Sequence, residues 1–111
     1  MNEPTQGQIK EFWEWCGLSQ NHWTQQWFID QNTKADPQPI LDLNNLFKYA
    51  VPFLLAGDRY SIKIYTHKGN NEVTILAHYM EDKGSYAGSP DLALALFWAI
   101  YPLVVAGKGG E

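Results

Sequence analysis

Four side chains in this chain carry a thiol or an imidazole: Cys16, His22, His67 and His78. A closed tetrahedral zinc site needs three or four such donors together, with partners that orient each ring. His67 falls beside a turn and His78 near the far end of the next strand, about five residue steps or roughly 17 Å away. Those two cannot share one ion, and Cys16 with His22 supplies only two ligands, so no metal is expected. For Cys16 to act as a nucleophile, a nearby base must draw off its proton. His22 is the one candidate close in sequence, and the plainer expectation is that Cys16 packs as a small hydrophobe. Glu11 and Glu14 are three apart on an exposed helical flank, and Glu81 and Asp82 belong to a turn. Neither pair has the apolar surroundings that raise one carboxyl for acid work. The residues therefore predict no catalytic group and no enzyme.

Binding is the chemistry that the composition favours. The chain holds five Trp, six Tyr and five Phe, and Trp13, Trp15, Trp23 and Trp27 all fall in the first 27 residues. With Phe28 they form a cluster that admits three readings: an aromatic staple that holds a long loop over the core, a contact surface for a partner, or a stacking pocket for a nucleotide. In the third reading Lys10, Arg59 or Lys63 would anchor a phosphate. Lys63, Tyr65 and His78 lie on a mixed strand face suited to a partner, and Trp98 lies on the last, very apolar helix.

Charge narrows the partner. The formal net charge is −4 with a single Arg, Arg59, and a protein that tracks a phosphate backbone needs a cationic surface. No nucleic acid is expected. Apolar residues make up 45% and charged residues 18% of the chain, below the roughly 25% charged content of soluble domains. Part of the surface is thus expected to be covered by a partner, either a second copy of the chain or a host protein. One cysteine excludes an internal disulfide and fits a reducing cytosol. The N-terminal MNEPTQGQIKEFWEW has no basic segment followed by an apolar run, so no secretory signal is expected.

The elements that must position these residues can be read from periodicity. A chain of 111 residues has room for one hydrophobic core, here assigned to residues 1–106, with 107–111 as a flexible tail. Ile9, Phe12, Trp13 and Cys16 recur at helical spacing, and Gly17 is the expected stop. Residues 18–39 read as a long aromatic loop. A second helix is expected from an Asp42 cap to about Ala56, with Leu43, Leu46, Phe47, Ala50, Phe53 and Leu54 on its apolar stripe and a kink or tightened turn at Pro52. Tyr60, Ile62 and Ile64 then alternate with polar residues, as do Val73, Ile75, Ala77 and Tyr79. With Gly69-Asn70 as a type II′ loop, the pairs are Ile64 with Ile75, Ile62 with Ala77 and Tyr60 with Tyr79. Ser85-Tyr86-Ala87 has the makings of a short third strand. Leu92 to Ala106 holds no charge or amide side chain, opens on Ser89-Pro90-Asp91 and ends at Gly107. A helix apolar nearly all round must be covered on more than one side. At roughly 22 Å and interrupted by Pro102 it is too short to span a bilayer of about 30 Å, so no membrane segment is expected. The sum is an α+β fold: a small antiparallel sheet sandwiched by helices, in the order helix, loop, helix, hairpin, third strand, helix.

That order, with Asp42 to Pro52 (DLNNLFKYAVP), Tyr60 to Ile64 (YSIKI), the Gly84 to Pro90 connection (GSYAGSP) and Ala93 to Ile100 (ALALFWAI), resembles the phage ABA sandwich domain of small phage and prophage proteins. The resemblance covers roughly Leu41 to Ala106. Phe12 to Gly17 (FWEWCG) is similar to a segment that precedes the domain in some relatives. The resemblance implies a sheet between helices and a phage-derived protein in the host cytoplasm. It supplies no catalytic residue and no cofactor. The expectation is a non-enzymatic accessory protein that binds, as a homo-oligomer or to a host protein, with sequestration of a nucleotide signal in an aromatic pocket as the alternative.

Overall fold

The computed structural model describes residues 3–20, 26–28, 42–79 and 83–109. The first helix, α1, runs over Gln6–Trp15 because both of its ends are satisfied locally. Thr5 and Gln8 exchange side-chain to backbone hydrogen bonds in a capping box at 3.1 and 2.8 Å. At the other end Gly17 N–H donates to the Glu14 carbonyl and Leu18 N–H to the Trp13 carbonyl, at 3.0 and 3.1 Å. This is a Schellman ending, and Leu18 and Trp13 are both buried beneath it.

The stretch expected as one long loop contains a two-stranded antiparallel ladder instead. In it β1 (Ser19–Gln20) pairs with β2 (Trp27–Phe28), with Ser19 opposite Phe28 and Gln20 opposite Trp27. His22 and Trp23, expected as a candidate ligand and a ring of the cluster, lie outside the described residues.

The middle helix starts where expected, with Asp42 accepting from Asn45 N–H at 2.8 Å. It is built from α2 (Leu43–Asn45), a π turn (Leu46–Ala50), α3 (Val51–Leu55) and a 3₁₀ turn (Ala56–Asp58). The π turn takes the place of the expected kink. Pro52 has no N–H for the Lys48 carbonyl, and one step upstream the Val51 N–H reaches back five residues to Leu46. A widened turn rotates everything after it. After the turn Leu54 is buried while Phe53 faces outward; within it Leu46, Tyr49 and Ala50 are buried, and Leu43 and Phe47, like Phe53 expected on the apolar stripe, are exposed.

The sheet has the order β3-β4-β5, over Tyr60–His67, Asn70–Ala77 and Ser85–Ser89, antiparallel throughout. The hairpin register corrects the expected one by two residues: Tyr60 pairs with Ala77, Ile62 with Ile75 and Ile64 with Val73. The loop is Lys68-Gly69, with φ of 50° and 79°. Positive φ at both central positions is the type I′ arrangement, and Gly fits the second of them at no steric cost. Because the shift is even, every side chain keeps its expected face.

The last helix, α4, spans Leu92–Gly109. Asp91 caps it, accepting from Ala93 N–H at 2.9 Å, and Ser89 Oγ accepts from Asp91 N–H at 3.1 Å. The expected stop at Gly107 is overrun by two residues, since a glycine costs only about 1 kcal/mol within a helix already formed. Asn71 ties this cap to the sheet by donating to the carbonyls of Ser89 and Pro90 at 3.3 and 3.0 Å. α4 lies across β4 and β5, α3 meets β3, and α1 packs on α4. The described helices thus cover one face of the sheet. Its other face, expected to be sandwiched as well, carries exposed Lys63, Tyr65, Leu76 and Tyr86. Among the described residues no helix is long and apolar enough to cross a membrane.

Candidate functional site

Where α1, α3 and α4 approach the start of β3, the chain leaves a half-open cleft of about 840 Å³. Each wall has a local cause. Trp15 stands at the last turn of α1, half-buried, with its ring edge-on to Phe53 at 4.9 Å and 73°. Phe53 is there because the π turn rotated it off the core stripe. Tyr60 opens β3 and also lines the cleft. Leu54, Pro102, Leu103 and Ala106 supply apolar surface from α3 and α4.

The charged side chains on the described wall are Arg59 and Lys83, both cations. Arg59 is held through its backbone: its carbonyl accepts from His78 N–H at 2.9 Å, and the neighbouring Asp58 carbonyl accepts from His78 Nδ1 at 2.6 Å. His78, expected as a partner contact, therefore fixes the entry to β3 from the end of β4. Lys83 is placed by Gly84, where a Cβ would sit 2.5 Å from the Ile75 carbonyl oxygen. Only a glycine lets the connection pass that close to β4.

The other expected site residues disperse. Trp13 and Trp27 are core residues, and Trp13 packs edge-on against Phe12 at 5.1 Å and Tyr49 at 6.2 Å. Trp13 Nε1 is buried with no hydrogen-bond partner among the described residues. Phe28 is half-buried on β2. Trp98 is half-buried, edge-on to Phe97 at 4.9 Å and Tyr101 at 5.7 Å. Lys63 and Tyr65 project from the sheet face that no described helix covers, where Tyr65 stacks on His67 at 5.8 Å. Of the described rings expected to stack a ligand, Trp15 lines the cleft and Trp13, Trp27 and Phe28 do not; of the expected phosphate anchors, Arg59 lines it and Lys10 and Lys63 do not.

Phe53, Tyr60 and Lys83 were not expected there. Phe53 and Tyr60 fit the apolar faces of a helix and a strand, and Lys83 follows the Glu81-Asp82 turn, so no local signal marked any of them. Cys16 is buried, and burial pushes its thiol up to about 12, which keeps it protonated and unreactive at neutral pH. Among the described residues no three of His, Cys, Asp and Glu come together as metal donors. Comparison of the chain with protein families, with characterised proteins and with solved structures finds no match.

Proposed function

We propose that this chain is a non-enzymatic binding protein that pairs with a second copy of itself through the sheet face that no described helix covers. The observation that carries this reading is the row of exposed Tyr65, Leu76 and Tyr86 on one face, between 49 and 59% accessible. Tyrosine gives large contact area at little entropic cost and is enriched at interfaces. A two-fold contact must be self-complementary. The same face carries Lys63 and Glu72, opposite charges that a two-fold contact can set against each other. The order of elements is the one implied by the resemblance to phage ABA sandwich proteins, while the described helices lie on one face of the sheet; on the order of elements we propose a phage accessory protein of that class. A single cysteine fits the reducing cytosol of a host cell.

Sedimentation velocity at micromolar concentration tests the pairing. The expected species has twice the 12.7 kDa chain mass, and the double substitution Tyr65→Asp, Tyr86→Asp returns it to one chain with unchanged circular dichroism. A single-chain mass throughout a hundredfold concentration series overturns the reading and leaves a host protein as the occupant of the face.

A further inference from the structure

We propose that the cleft between α1, α3, α4 and the start of β3 is a ligand site for a small nucleotide. The base would lie against Trp15, Phe53 and Tyr60, and the phosphate would face Arg59 and Lys83. This goes beyond the self-pairing reading and does not depend on it, because the cleft lies on the helix-covered side of the sheet.

Size, lining and charge converge on that class. A volume of about 840 Å³ falls within the roughly 300–1,000 Å³ of small-molecule sites, which are mostly apolar with a few placed polar groups. Three aromatic rings arrive from three different elements: Trp15 from α1, Phe53 from α3 and Tyr60 from β3. Trp15 and Phe53 meet edge to face at 4.9 Å, and aromatic rings of this kind are platforms on which a planar base can stack. Both charged side chains on the described wall are cations in a chain whose net charge is −4. One of them is its single arginine, a planar fork suited to two-point recognition of phosphate.

Two local costs are accepted to build this wall. The π turn before Pro52 gives up the regular helix and turns a phenylalanine outward, and π turns recur at functional positions. Gly84 gives up a side chain so that the connection holding Lys83 can run close beside the end of β4. Two cations suit one or two phosphates. They are too few to track a polynucleotide, whose binding needs many cationic contacts.

Isothermal titration calorimetry on the full chain at low salt, with AMP, GMP and ADP as probes and adenosine and inorganic phosphate as half-ligands, decides the matter. At least one nucleotide is expected to bind, with each half-ligand at least tenfold weaker. Lys83→Gln is expected to weaken that nucleotide about tenfold, the loss of one charge-assisted contact, with circular dichroism unchanged. Trp15→Leu should weaken nucleotide and adenosine alike and leave phosphate unaffected. No heat from any of the three nucleotides up to millimolar concentration with natively folded protein overturns the site. So does phosphate binding as tightly as the nucleotide, or a Lys83→Gln variant with undiminished affinity.

Discussion

Cys16 illustrates how burial settles a residue's chemistry. Its thiol is held far above its ordinary value near 9, because a thiolate would have to form without water around it. A raised pKa in the folded state gives stability that is complete below the unfolded thiol's pKa and is lost as pH climbs toward about 12. Folding stability should therefore fall with pH above about 9, by at most about 1.4 kcal/mol per pH unit from this group. Tyr101 and Tyr86 act in the same direction at higher pH. Their hydroxyls are raised first by donating to Glu11 and Glu72 and then by burial and the nearby carboxylate charge. Urea midpoints of the native chain and of Cys16→Ala at neutral pH and near pH 10 should diverge, the variant losing less on going alkaline. Equal losses would mean that the thiol is solvated. The helical spacing around Cys16 announced its burial, whereas nothing around Lys83 announced a cleft, since a turn residue's surroundings come from distant segments.

At the scale of elements, three side-chain caps decide where helices begin: Thr5 for α1, Asp42 for the middle helix and Asp91 for α4. Each satisfies a backbone N–H that the first turn leaves without a helical partner. Asp42→Ala and Asp91→Ala are each expected to lower stability by about 0.5–2 kcal/mol, read as a reduced urea midpoint with unchanged slope. Asp91→Ala should be the more damaging, because its helix is the one on which sheet and α1 both rest. Asp42 was legible as a cap before an apolar run, whereas at the Ser89-Pro90-Asp91 opening the sequence pointed to Ser89 and the cap is Asp91. The register of the β3–β4 hairpin was legible only to its parity. Alternation assigns each side chain to a face, but Gly69 can serve as the first or the second central residue of a two-residue loop. The choice between those two turns depends on the pairing of the whole strand.

Over the whole molecule, α4 is the common wall. Phe97 is fully buried and touches Phe12 at 4.8 Å, Trp98 at 4.9 Å and Tyr101 at 5.3 Å. It thereby joins α1 to α4, which the Tyr101 hydroxyl reinforces by donating to Glu11. Phe97→Ala is expected to cost about 3–5 kcal/mol, a large part of the roughly 5–15 kcal/mol that holds a domain of this size together. Loss of most secondary structure or a deep fall in melting temperature is the expected result. A melting temperature within a few degrees of the native chain would show that α1 docks by other contacts. By itself the sequence determined the class of fold, the start of its middle helix, the strands of the hairpin and the face each strand residue occupies, because caps and periodicity act over a few residues. Only the tertiary structure decided that Trp27 belongs to the core while Trp15 lines a cleft, that Phe53 turns outward to meet it, and that Arg59 and Lys83 both line it. An aromatic side chain is equally at home in a core or on a binding wall, and which it joins depends on what distant segments cover it.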